Sequence, residues 1–85
     1  PVKSKAYLDK AVASAPYYLE SKVLYAEAYC THSAVKDKVL FEKLLNEVLA
    51  EDTSAHPEIQ PENENAKLKA KALLESQRTG SLPMP

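Results

Sequence analysis

Nucleophilic catalysis would require Cys30, or a serine or threonine, beside an oriented base, and the chain has two histidines, His32 and His56. The base must lie within hydrogen-bond reach of the nucleophile. Cys30 and His32 are two residues apart, so on a helix their side chains point in widely different directions. A single cysteine cannot form an internal disulfide, and on an apolar helix it is typical of a small buried hydrophobe. We therefore expect no catalytic residue and no enzyme activity.

Metal and phosphate sites are not predicted either. The spacing of Cys30, His32 and His56 does not match a zinc site, which would need at least one further ligand. A phosphate loop needs several glycines, and Gly80 is the only one in the chain. An acidic stretch lacks the alternating ligands and central glycine of a calcium loop, so we interpret it as a solvated surface and expect no cofactor. It comprises Glu47, Glu51, Asp52, Glu58, Glu62 and Glu64.

Three tyrosines form the pattern that best fits a binding site. Tyr18, Tyr25 and Tyr29 are seven and four residues apart, which places them on one side of a helix, and Tyr7 could join them from the preceding helix. Tyrosine packs as an apolar ring but keeps a hydroxyl that needs a partner. Such a stripe could line a groove for a small organic solute or a peptide. Packing between helices explains the same spacing, and the sequence leaves both interpretations open.

Four helices are needed to position these residues. Apolar periodicity and the prolines predict helices over Val2 to Ser14, Pro16 or Tyr17 to His32, Lys36 to Glu51, and from between Pro57 and Pro61 to about Gln77. The third has the clearest apolar face, and the fourth has a narrow stripe of small residues. The apolar face of the third helix comprises Phe41, Leu44, Leu45, Val48 and Leu49. The stripe of the fourth helix comprises Ala66, Ala70, Leu73, Leu74 and Gln77. We expect one all-α unit over residues 1–77 and a flexible tail over 78–85.

Charge and hydropathy narrow the classes of partner. The formal net charge is −1, whereas a dedicated nucleic-acid binder usually carries a clear basic excess. No apolar run approaches the roughly 18 residues of a membrane span. We therefore expect neither a nucleic-acid partner nor a membrane span. The chain opens without methionine and without a secretory signal, and we expect it to begin inside a longer protein.

Short helices joined at prolines predict antiparallel hairpins, and their spacing resembles a tetratricopeptide-type repeat. Leu8, Ala11 and Pro16 fit the second helix of one repeat, and Tyr25 and Tyr29 fit the first helix of the next. Because such repeats bury their apolar faces against neighbours, about four helices of this kind would stack on further helices or on another copy.

A longer set of residues resembles a known family. The residues that carry this resemblance are Tyr25-Ala26-Glu27, Phe41-x-x-Leu44-Leu45-x-x-Val48-Leu49-x-x-Asp52, Ala55-x-Pro57 and Asn63-x-x-Ala66-x-x-x-Ala70-x-x-Leu73-Leu74. This pattern is similar to the C-terminal end of the T component associated with TRAP transporters. The resemblance implies a tetratricopeptide-like, exported, periplasmic protein that cooperates with the solute-binding subunit of an uptake system.

Three functional hypotheses follow. The resemblance and the tyrosines favour an accessory module for uptake of a small solute, with the periplasmic solute-binding protein as its partner. The repeat spacing alone favours a generic adaptor that binds a peptide or another protein. The third is a structural role, in which the chain caps a solenoid or associates with itself through stacked helices.

Overall fold

The computed structural model describes residues 2–32 and 35–80, with side chains from residue 5 onward. Over this part of the chain the protein contains four α-helices and no strand, so the predicted all-α fold is confirmed. The helices are α1 (Val2–Ser14), α2 (Glu20–Leu24), α3 (Lys38–Ala50) and α4 (Gln60–Thr79). A π-helix (Tyr25–Cys30) continues α2, and two 3₁₀ turns (Thr53–Ala55 and Pro57–Ile59) connect α3 to α4.

Helix α2, with the π-helix that extends it, forms a helical hairpin with α3. At one end, the Asp37 N–H donates to the Cys30 carbonyl at 3.0 Å. At the other end, the Lys22 ammonium lies 3.4 Å from the Glu47 carboxylate. The start of one helix thus faces the end of the other, so the two run in opposite directions. The likeness of such hairpins to tetratricopeptide repeats stays a prediction.

Helix α2 lies at the centre of the array, because it contacts α1, α3 and α4. Its buried Val23 belongs to the same hydrophobic cluster as Phe41 and Leu45 of α3, which are fully buried. Helix α4 adds Ala66 and Ala70, both fully buried, and small residues let two helices approach closely. Most of the predicted apolar faces of the third and fourth helices therefore lie in the core, and Leu73 and Leu74 pack against it from partly buried positions. An exception is Leu49, which is 36% exposed.

The second helix begins at Glu20 and not at Pro16 or Tyr17, so its predicted start is wrong. The Asn63 carboxamide accounts for this difference. Its Oδ1 accepts from the Leu19 N–H at 3.1 Å, and its Nδ2 donates to the Tyr17 carbonyl at 3.0 Å. The Tyr17 carbonyl is thus bonded to a side chain of α4 instead of a helical N–H, and the same side chain satisfies the Leu19 N–H at the start of α2.

From Tyr25 the second helix widens into a π-helix that ends at Cys30, two residues before the predicted end at His32. π-Helical turns are rare and often occur at functional sites. The widened turn changes the angular step between residues, so the apolar period of an α-helix no longer decides which side chains share a face. Tyr25, Ala26 and Cys30 are all buried within this short segment.

The remaining helix ends have local causes. Helix α3 begins after Asp37, whose side chain accepts from the Leu40 N–H at 3.0 Å, and Lys36 has a left-handed φ of 47°. Pro61 fits the first turn of α4, where its missing N–H has no helical partner. Helix α4 ends at Thr79, two residues beyond the predicted Gln77, because Gly80 adopts the left-handed conformation with φ 85°. Residues 81–85 of the predicted tail lie outside the described residues.

Leu45→Ala should lower the free energy of unfolding by about 2–5 kcal/mol, because it opens a cavity at a fully buried position. Chemical denaturation followed by circular dichroism measures this change. Leu68→Ala is the matched control. Because Leu68 is 66% exposed, this substitution should lower the free energy of unfolding by less than about 0.5 kcal/mol. Equal losses in the two variants would show that Leu45 does not belong to the core.

Candidate functional site

Two of the three predicted site tyrosines contact each other. Tyr25 and Tyr29 lie in the π-helix, with ring centroids 5.6 Å apart and planes at 85°, an edge-to-face arrangement. Tyr25 is only 3% exposed and belongs to the hydrophobic core, whereas Tyr29 is half-buried against it. Tyr25 therefore packs between helices, and Tyr29 lies at the boundary between the core and the surface.

The Tyr25 hydroxyl joins the π-helix to α1. It donates to Asp9 Oδ1 at 2.6 Å, while Lys5 Nζ donates to Asp9 Oδ2 at 2.8 Å. The hydrogen bonds from Lys5 and Tyr25 lower the pKa of Asp9, and the bond to Asp9 raises the pKa of Lys5. Burial, followed by the bond to Asp9, raises the pKa of Tyr25. This network satisfies the buried hydroxyl.

Tyr18 and Tyr7 lie apart from that pair. Tyr18 precedes α2 in the turn that Asn63 holds, and it is 38% exposed. Tyr7 is 71% exposed on α1, and no ring contact to it occurs among the described residues. The predicted stripe is therefore divided: Tyr25 and Tyr29 form a contacting pair, and Tyr18, like Tyr7, lies on the surface.

Sequence reasoning missed an aromatic pair formed by Tyr17 and His56. Their ring centroids are 4.6 Å apart and the planes are inclined by 24°, so the rings stack. His56 Nδ1 also lies 3.5 Å from Glu58 Oε1. The two rings come from segments 39 residues apart in sequence, and Asn63 fixes the Tyr17 backbone beside them. No local sequence pattern predicts such a pair. The one available signal was Asn63, which bonds the Tyr17 backbone and was part of the family resemblance.

Cys30 is fully buried, as its position on an apolar helix predicted. Burial, aided by the negative charge of Asp37, raises the pKa of the Cys30 thiol to about 11. The thiolate, which is the nucleophilic and metal-binding form, is therefore scarce at neutral pH. Cys30 acts as a small apolar core residue.

The acidic stretch has structural roles. Asp52 caps the first 3₁₀ turn through the Ser54 N–H at 3.0 Å, and bonds from the Ser54 hydroxyl and N–H lower the pKa of Asp52. Glu64 accepts from the Thr53 hydroxyl, and Glu47 pairs with Lys22. Within residues 5–32 and 35–80, no three acidic, histidine or cysteine side chains cluster as metal ligands would.

Comparison with known proteins assigns the chain to a family. A family model described as the TRAP transporter T-component matches residues 1–79 of the 85-residue chain. The chain belongs to the TRAP transporter T-component family. Neither the curated proteins nor the solved structures include a significant match. The protein is accordingly a component of a transport system, and none of its described helices is long and apolar enough to cross a membrane.

The residues that carried the resemblance to T components are mainly packing residues in this structure. Phe41, Leu45, Ala66 and Ala70 are fully buried, and Asn63 is 3% exposed with both ends of its carboxamide bonded. The family pattern thus describes how α3 and α4 pack and how α4 holds the start of α2. It does not by itself identify a contact surface.

Asn63→Ala should lower the free energy of unfolding by about 2–3 kcal/mol, because it leaves the Leu19 N–H and the Tyr17 carbonyl without their partner. Denaturant unfolding measures the loss. Asn65→Ala removes the same side chain from an exposed position two residues later and should change stability by less than about 0.5 kcal/mol. An Asn63→Ala protein as stable as Asn65→Ala would contradict the proposed anchoring role.

The network of Lys5, Asp9 and Tyr25 should make stability depend on pH in the acid range. Because the folded protein lowers the pKa of Asp9 below its usual 3.8, Asp9 stabilises the fold above that pH. This contribution is lost as the pH falls through the lower, folded-state pKa. Tyr25→Phe removes one cause of the shift, so the Asp9 titration midpoint should rise toward 3.8.

Carboxyl ¹³C NMR titration of the wild type and Tyr25→Phe measures this midpoint. Asp52 is the internal control, since its pKa is set by Ser54, and its titration should be the same in both proteins. An unchanged Asp9 midpoint in Tyr25→Phe would show that the hydroxyl does not act on this carboxylate.

Proposed function

We propose that this T component is a non-enzymatic accessory subunit of a TRAP-type uptake system, exported to the periplasm, where it binds the solute-binding protein. The match to the family over residues 1–79 is the observation that carries this proposal. The tetratricopeptide-like arrangement belongs to the same proposal, because arrays of helical hairpins offer extended surfaces for partners.

The surface around Tyr17 and His56 is well suited to contact a protein partner. The Tyr17 residue is 46% exposed and the His56 side chain 41% exposed, although their rings stack on each other. Aromatic residues are enriched at protein interfaces. The stack and the hydrogen bond from Asn63 to the Tyr17 carbonyl hold this surface in place before binding, so little conformational entropy would be lost on association.

The tyrosines Tyr18, Tyr25 and Tyr29 are proposed to contact a small organic solute. Tyr29 and Tyr18 are accessible to such a molecule, whereas Tyr25 is buried and its hydroxyl is bonded to Asp9. A solute would therefore meet Tyr18 or the edge of Tyr29 first. It would contact Tyr25 only if α1 moved away from the π-helix.

A generic adaptor that binds a peptide or another protein is the second candidate. It is favoured by the central position of α2, which packs against three other helices as in stacked hairpins. Self-association through stacked helices belongs to the separate structural role, in which the chain caps a solenoid or pairs with another copy. The upstream coding sequence separates the two functions: a lipoprotein-type export signal supports the uptake subunit, and a cytosolic start supports the adaptor.

Calorimetric titration of the intact protein with the solute-binding protein of its own uptake system tests the proposal. We expect saturable binding that Tyr17→Ala and His56→Ala weaken by about tenfold or more, as for residues at the centre of an interface. Tyr7→Ala is the matched control, because Tyr7 is an exposed tyrosine on α1 and should leave affinity unchanged. Circular dichroism melting checks that each variant is folded.

Two outcomes would contradict this proposal. One is the absence of heat beyond dilution with the wild-type pair. The other is an equal loss of affinity in Tyr7→Ala, which would show that binding does not use the Tyr17 and His56 surface.

A further inference from the structure

A surface cleft of about 440 Å³ lies between α3 and α4, away from the tyrosines. Its volume falls within the range of small-molecule sites. Three residues at intervals of four along α3 form one wall, and three near the end of α4 form the other. The lining comprises Lys38, Glu42, Asn46, Leu74, Gln77 and Arg78.

The Gln77 carboxamide is the first sign that this cleft takes a ligand. Its Nε2 is buried and has no acceptor among the residues that the structure describes. Buried donors are nearly always paired in folded proteins. The last torsion of a glutamine side chain is soft, so its amide can turn toward an acceptor placed in the cleft. A ligand oxygen would give Nε2 the partner that the protein lacks.

The charges in the cleft define the ligand further. Lys38 is the first residue of α3 and lines the cleft, while the carboxylate of the preceding Asp37 caps the helix through the Leu40 N–H. The Arg78 guanidinium is paired with Glu75, which leaves Lys38 as the uncompensated cation of the lining. Glu42 lies one turn farther along α3, and no ion pair joins it to Lys38 within 4.0 Å. The cleft thus presents one positive and one negative group side by side.

We propose that this cleft binds a small amphoteric molecule, an apolar α-amino acid being the simplest example. Its carboxylate would accept from Lys38 and Gln77, and its ammonium group would donate to Glu42. Leu74 offers apolar surface to the ligand side chain. This inference is independent of the proposed partner binding, since it uses neither the Tyr17 and His56 surface nor the family match.

The experiment is an NMR titration of the full chain with L-leucine, followed through the ¹H–¹⁵N signals of the Asn46 and Gln77 side-chain amides. We expect saturable shifts centred on the cleft, with weak affinity in the millimolar range. Two analogues remove one charged group each: L-leucinamide lacks the carboxylate and 4-methylpentanoate lacks the ammonium. Both should bind about three- to fivefold more weakly than L-leucine, the effect of losing one exposed charge pair.

Matched variants assign each group to its partner. Lys38→Met should weaken the binding of L-leucine and of 4-methylpentanoate but not that of L-leucinamide. Glu42→Gln should weaken the binding of L-leucine and of L-leucinamide but not that of 4-methylpentanoate. Lys43→Met is the control, because Lys43 is exposed on α3 and does not line the cleft. Non-saturable shifts, equal binding of all three compounds, or an equal effect of Lys43→Met would overturn the proposal. Loss of partner binding with an intact L-leucine response would refute only the proposed function.

Discussion

The arrangement of this protein depends on one buried carboxamide. The first N–H groups of any helix have no partner within the helix itself. At the start of the second helix, Asn63 of α4 provides that partner for Leu19 and also bonds the Tyr17 carbonyl. Because α2 contacts all three other helices, the side chain that binds its entry ties α4 to the central helix of the array. An apolar residue at position 63 could fill the space but could not satisfy these groups.

Local patterns were sufficient where helices depend on their own residues. The extent of α1, the apolar face of α3 and the small stripe of α4 all followed from periodicity and proline position. The start of α2 did not, because its determinant, Asn63, is 44 residues away from Leu19. The π-helix was not predicted either, because an apolar pattern of period 3.6 assumes α-helical backbone geometry, and the backbone from Tyr25 to Cys30 does not have that geometry.

The same distinction explains the tyrosines. Spacing by seven and four correctly brought Tyr25 and Tyr29 onto neighbouring positions, but it also placed Tyr18 in a helix that begins only at Glu20. The stacking of Tyr17 on His56 could not be foreseen, because it depends on how the 3₁₀ turns return the chain to the start of α2. The cleft between α3 and α4 is equally non-local. Its residues are ordinary surface residues in sequence and become neighbours only through the antiparallel pairing of the two helices.

These observations separate the residues that hold the fold from those available to partners. The Tyr25 hydroxyl donates to Asp9, and the Cys30 thiol is buried with a pKa of about 11. Neither group is therefore available to a partner at the surface. Two of the accessible surfaces differ in kind: the stacked rings of Tyr17 and His56, and the adjacent but unpaired Lys38 and Glu42 in the cleft where α3 begins and α4 ends. The first suits a protein surface and the second a small polar molecule. The cleft lies where α3 begins and α4 ends, whereas His56 lies between the end of α3 and the start of α4, so one surface can be occupied without blocking the other.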